Sequence, residues 1–190
     1  KSSDPTATNH YIYSPGSVAM LSTSYSQRGM SFLLQAKRSE NFNFISARST
    51  VGTPLHVNHL PAFTANHTYT LAALYPYATQ PDGEWAFQGD FRYTIPRGTL
   101  LGGKYGTGLR VNYAHVRGLK SEATDQLPLD APEGKLYGTD GYDHSFFGMG
   151  ELYYSDFNFE LSKKFSRTVS LTFEYYHQIY NQLVIEGHAI

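Results

Sequence analysis

Two imidazoles three residues apart, His56 and His59, have the spacing that brings ring nitrogens to one metal ion on a helix. In a strand the same rings point to opposite faces, and no nearby carboxylate supplies a third ligand. No metal site is expected there. Asp140, Asp143 and His144 offer further donors, but without the regular spacing of a calcium loop. Gly102-Gly103-Lys104-Tyr105-Gly106-Thr107 has the composition of a phosphate loop. It lacks the Gly-x-x-x-x-Gly-Lys-Ser/Thr spacing and leads into a strand, not a helix. Asn66-His67-Thr68 has the form of a glycosylation sequon, which carries no meaning in a bacterial chain.

The carboxylates remain. Glu84, Asp90, Asp156, Glu160 and Glu174 fall on the polar faces of alternating segments. A glycosidase-like acid/base pair would need two of them close together in a closed pocket. Arg92 and Arg110, on the same face of neighbouring strands, pair with them more simply across a sheet. The expectation is a hydrogen-bonded, charged wall with no catalytic residue, no cofactor and no metal.

The elements that hold these groups follow from residues 84–95. Even positions are Glu84, Ala86, Gln88, Asp90, Arg92 and Thr94; odd ones are Trp85, Phe87, Gly89, Phe91, Tyr93 and Ile95. Side chains alternate across a strand, so one face is polar and the other aromatic and aliphatic. Residues 105–115 repeat the phase, with Tyr105, Leu109, Val111 and Tyr113 opposite Arg110 and Asn112. So do residues 153–161, with Phe157 and Phe159 opposite Asp156, Asn158 and Glu160, and residues 169–179, with Leu171, Phe173 and Tyr175 opposite Glu174. Residues 17–27, 31–39 and 67–75 read as further strands, and one more is expected within 41–66. Residues 118–148, with Pro128, Pro132 and several glycines, read as one long loop.

Three turns share a basic character, at Arg28, at Arg97 and at 163–167. Placed on one side of an antiparallel meander, they leave the long loop on the other. Short turns at one end and long loops at the other is the asymmetry of a membrane barrel.

Bulk composition agrees. The 190 residues include 16 Tyr, 12 Phe and 1 Trp, and only 16% are charged, against roughly 25% in soluble domains. Mean hydropathy is nevertheless −0.40, and no run approaches the ~20 apolar residues of a membrane helix. A formal net charge of −1 gives no reason to expect nucleic acid as a partner. Zero cysteines exclude disulfides, thiolate metal sites and a cysteine nucleophile. No signal segment opens the chain, and no terminal aromatic closes a last strand, so a fragment of a longer barrel is expected.

The run His-Thr-Tyr-Thr-Leu-Ala-Ala-Leu-Tyr-Pro-Tyr-Ala-Thr-Gln-Pro, ending at Pro81, resembles an uncharacterised family of Bacteroidota envelope proteins. So do Gln88-Gly89-Asp90 and Leu101-Gly102-Gly103-Lys104-Tyr105-Gly106-Thr107, and the resemblance covers roughly residues 41–116. It implies an outer-membrane β-barrel longer than this chain and carries over no catalytic residue.

The reading is an all-β chain, an antiparallel up-and-down meander that is part of a transmembrane β-barrel in the bacterial outer membrane. Residues 1–190 form a fragment of a single barrel domain. Lumen-facing candidates are Gln88, Asp90, Arg92, Arg110, Asn112, Asp156, Asn158, Glu160 and Glu174. Lipid-facing candidates are Trp85, Phe87, Phe91, Tyr93, Phe157, Phe159 and Phe173. Porin-like passage or uptake of a polar solute is the expected role, or a platform for other envelope proteins, with 118–148 as the recognition loop. Membrane lipid is the expected partner. The alternative is a soluble β-sandwich that binds carbohydrate through exposed Tyr and Trp.

Overall fold

In a computed structural model, the described residues are 2–3, 11–12, 16–42, 57, 60–67, 69, 73–123 and 142–187. Strands β1 (Ser2–Ser3) and β2 (Tyr11–Ile12) form a short antiparallel ribbon. The rest is one six-stranded antiparallel meander, in order β3 (Ser17–Gln27), β4 (Met30–Glu40), β5 (Gly83–Ile95), β6 (Thr107–Ala123), β7 (Tyr142–Lys164) and β8 (Ser170–Tyr180). The sheet is not closed into a barrel: β3 and β8 are its edges. A single turn of helix, α1 (Gln182–Glu186), follows β8, capped by Asn181 at its start and by Gly187 in the left-handed conformation at its end.

The register carries the alternation through every strand. Arg92, Arg110, Glu160 and Glu174 form one row across β5 to β8; Asp90, Asn112, Asn158 and Tyr176 form the next. Gln88, Ala114, Asp156 and Gln178 form a third. The opposite face carries the rows Phe91–Val111–Phe159–Tyr175 and Tyr93–Leu109–Leu161–Phe173. The nine polar candidates lie on one face, joined there by Tyr154 and Tyr176, and the seven aromatic candidates lie on the other. Sequence period alone achieves this, because a register slip of one residue would invert the whole strand.

Three expectations about the connections are corrected. β4 pairs directly with β5, from Met30 opposite Tyr93 to Glu40 opposite Gly83, so no strand lies between them in the sheet. Among the described residues of 41–82 no strand forms, and the rest of the strands expected within 41–66 and at 67–75 lies outside the described residues. Prolines at 61, 76 and 81 cannot donate to a ladder, which explains why that segment leaves it. Two strands, not four, therefore separate Arg28 from Arg97. That number is still even, so all three basic turns lie at one end of the sheet.

The loop expected at 118–148 shrinks from both sides, because β6 runs to Ala123 and β7 begins at Tyr142. Its former member His144 is a strand residue, with Nδ1 3.2 Å from Glu40 Oε1. Residues 124–141 lie outside the described part. Finally, the short turn expected at Arg97 is a longer one. Residues 96–106 form one longer turn, closed by N–H donation from Gly98 to Gly103 O (2.8 Å) and from Gly106 to Gly102 O (2.9 Å).

Register shifts after Val116 make β7 longer than β6, and extra residues accumulate around Phe146. The bulged backbone turns over the aromatic face near its far end. Phe146 O accepts from Arg38 Nε and from Trp85 Nε1, each at 3.0 Å. Arg38 also donates to Glu40 Oε2 (2.7 Å) and Ser17 Oγ (3.2 Å), which leaves this buried guanidinium well satisfied. Gly83 sits where the strands crowd together, at φ +136, and an added Cβ would lie 2.7 Å from Leu119 Cδ1 and 2.8 Å from Ser39 O. Gly83→Ala is expected to cost roughly 1–3 kcal/mol. Gly98, at φ +81 with open space around it, keeps only the backbone part of that cost when changed to Ala. Urea midpoints of the two variants measure the difference.

Candidate functional site

The polar face is buried away from the turns and exposed near them. A segment of the β4–β5 connection, spanning described residues between 60 and 82, lies over its far half. Lys37 and Glu84 fix that cover. Both side chains are fully buried, with Lys37 Nζ 2.8 Å from Glu84 Oε1. Lys37 Nζ also donates to Pro61 O and Thr79 Oγ1, each at 2.6 Å, and stands 5.4 Å from the centre of the Phe63 ring. Glu84 Oε2 accepts from the Gln80 N–H (2.9 Å) and from the Tyr77 hydroxyl. Burial and the Glu84 charge push the Tyr77 phenol well above its ordinary range, so it remains a donor at any working pH. Two sheet residues thus hold four points of the cover, and the small apolar core forms between them. Phe63 and Tyr77 from the cover pack on Ala86, Ala114, Val116 and Tyr154 from the sheet. Tyr77 and Tyr154 stack with centroids 5.2 Å apart.

A second contact lies one row further along. His67 Nε2 is 2.6 Å from Asp156 Oδ2, and Asp156 is fully buried. The ring meets Tyr176 edge-on, with centroids 5.0 Å apart. An imidazole held by a carboxylate activates a nucleophile when a hydroxyl or thiol faces its other nitrogen. Here Nδ1 faces the Asn158 amide nitrogen at 3.4 Å. An amide nitrogen is a donor and no nucleophile, so the pair reads as an anchor for the cover. Beside it lies a cavity of about 160 Å³, lined in part by His67, Tyr75, Tyr77, Tyr154 and Gln178.

Toward the turn end the face opens. Asp90 accepts from Arg92 Nε (2.8 Å), Arg110 Nε (3.0 Å) and Asn112 Nδ2 (3.1 Å). Exposure rises along this cluster, from Asn112 at 0% to Arg110 at 27% and Arg92 at 59%. Glu174 accepts from the Tyr176 hydroxyl. At the boundary between the open and covered halves, Asn112 Oδ1, Asp156 Oδ1 and Asn158 Oδ1 are buried without a protein donor among the described residues. Each such acceptor costs about 1–3 kcal/mol unless something donates to it.

The structure brings Gln88, Asp90, Arg92, Arg110, Asn112, Asp156, Asn158, Glu160 and Glu174 onto one continuous wall. On the other face, Phe91, Tyr93, Phe157, Phe159 and Phe173 stand in one apolar field. Trp85 and Phe87 stack at its far end, 5.5 Å apart, and Phe146 meets the Trp85 ring edge-on at 5.8 Å. The sequence reading passed over Lys37, His67 and Tyr77 as site residues. The available signal was proline: three of them in 60–82 argue for a cover instead of a strand. His56, His59 and Asp140 lie outside the described residues. Among the described residues no group of three His, Asp or Glu side chains is arranged to hold a metal ion.

One protein family matches residues 1–190, described as "Family of unknown function (DUF6029)". No curated protein and no solved structure matches the chain.

Proposed function

The chain belongs to that family of unknown function, and for it we propose a role as part of the wall of an outer-membrane β-barrel. The observation that carries this reading is inverted burial. Among the described residues, Lys37, Glu84, Asn112, Asp156 and Asn158 are buried, while Leu21, Tyr113, Leu171, Phe173 and Tyr175 are exposed. A soluble sheet buries the second kind of residue and wets the first. Lipid on the aromatic face reverses that preference, and a water-filled lumen accepts the polar wall. Strand length fits as well. The 11 residues of β3, β4 and β8 extend about 36 Å, and a tilt of ~45° brings that to the roughly 25 Å of a barrel's apolar band.

The role proposed for the lumen is passage or uptake of a polar solute, with the cover narrowing one end. Asp90, Arg92 and Arg110 line the open end, and the buried oxygens of Asn112, Asp156 and Asn158, without a protein donor among the described residues, favour bound water beneath the cover. The His67–Asp156 pair positions the cover and has no part in a reaction. The alternative, a soluble sandwich that binds carbohydrate, needs a second sheet over the aromatic face; besides the six-stranded sheet, the described residues form only the β1–β2 ribbon of two residues per strand.

A barrel of this kind requires detergent and migrates differently on a gel before and after boiling. In planar bilayers, Arg110→Ala is expected to alter its conductance. A chain that is monodisperse without detergent overturns the barrel reading. A confirmed barrel whose conductance ignores Arg110→Ala overturns the passage reading.

A further inference from the structure

We propose that the turn end of the sheet binds the phosphate of anionic phospholipid headgroups, in the depression between Arg28 and Arg97. The β3–β4 turn contributes Arg28, the β5–β6 turn Arg97 and Lys104, the end of β7 Lys163 and Lys164, and the β7–β8 turn Arg167. No aspartate or glutamate lies in residues 26–31, 95–107 or 162–170. An even number of strands separates each turn from the next, so the topology collects all six cations at one end. None of the six forms an ion pair among the described residues.

The geometry there suits a headgroup. Arg28, Tyr93, Arg97 and Tyr105 line an open depression of about 780 Å³, floored by Gly29 and Gly106. Positive φ values of 82° and 86° at these glycines keep side chains out of it. Lys104 and Lys164 approach the Tyr105 ring at 5.9 and 5.6 Å from its centre, which gathers positive charge at the rim. Tyr93 stands on the aromatic face, so the depression opens where that face ends. At the same end of the sheet Leu101, Phe165 and Val169 are exposed. Cations above an aromatic and aliphatic rim match a layer of phosphates above acyl chains. A guanidinium pair offers planar, bidentate donors for such a phosphate.

The inference rests on the membrane reading only for the direction from which lipid arrives. The test uses the full chain equilibrated with equimolar phosphatidylglycerol and phosphatidylcholine, in neutral detergent or on vesicles, with retained lipid counted by mass spectrometry. Phosphatidylglycerol is expected to be enriched several-fold, less so at high salt. Arg28→Gln/Arg97→Gln is expected to bring the two lipids to near-equal retention, since each cation removed costs about fivefold. Lys120→Gln, exposed at the other end of the sheet, tests whether any lost cation would do and is expected to leave the enrichment unchanged. Equal retention of both lipids, or enrichment that survives the double variant, overturns the proposal. Displacement by millimolar inorganic phosphate makes it a phosphate site, and equal retention of a DNA oligonucleotide makes it a general polyanion surface; either outcome overturns the lipid assignment. Heat-modifiable migration reads the barrel separately, so failure of one is distinguishable from failure of the other.

Discussion

Phe159→Arg is expected to weaken folding into phospholipid vesicles by about 2–4 kcal/mol more than Phe159→Ala does, the cost of a cation near the bilayer midplane. Phe159 is central in the part of β7 that pairs with β8, on the aromatic face. It stands opposite Val111 and Tyr175, with its ring centre 6.3 Å from that of Phe173. Truncation to alanine removes those ring contacts in any solvent. The difference between the Arg and Ala variants therefore isolates what the surroundings charge for an ion. If this face meets water, an arginine on an exposed sheet surface changes stability by no more than about 0.5 kcal/mol relative to alanine. Urea titration of the vesicle-folded chain gives the number. Indistinguishable Arg and Ala variants would remove lipid from this face and leave the inverted burial to be explained by a protein partner.

Lys37→Met is expected to cost roughly 3–5 kcal/mol, because it strands the buried Glu84 carboxylate without its counter-ion. The loss has a location. Lys37 also holds Pro61 O and Thr79 Oγ1, so the cover loosens with the pair, and protease cleavage within 60–82 is expected to accelerate. Lys37→Met/Glu84→Met removes both charges and is expected to recover part of the stability. Recovery stays partial, since the Tyr77 hydroxyl and the Gln80 N–H lose their acceptor. A single variant that matches the parent in both unfolding and proteolysis would show that the cover is held by its apolar contacts instead.

Much of the wall was legible beforehand because strands have a period of two. Trp85 to Ile95 alternates so cleanly that face, register and polar row follow from one segment, and the neighbours repeat its phase. The connections were less legible. Residues 67–75 carry Tyr69, Leu71, Ala73 and Tyr75 in strand-like alternation, but alternation does not say whether a partner strand is within reach. β4 pairs directly with β5, and the described residues of that segment form no strand; His67 lies over the polar face instead. His67 and Tyr77 are ordinary residues in sequence, distant from Asp156 and adjacent to nothing charged. Only the fold returns them to the sheet.

What the sequence by itself determined is the two-sidedness of the strands and the basic character of the turns. Both are local properties, set by side-chain alternation and by which residues flank each glycine or proline. Tertiary structure decided which face is buried, that Lys37 and Glu84 meet across adjacent strands, and that six cations share one end. Those are consequences of strand pairing between residues far apart in the chain, and pairing is selected by the packing of whole faces. A strand's pattern states that its two sides need different surroundings; the assembled sheet and its cover decide which surroundings each side receives.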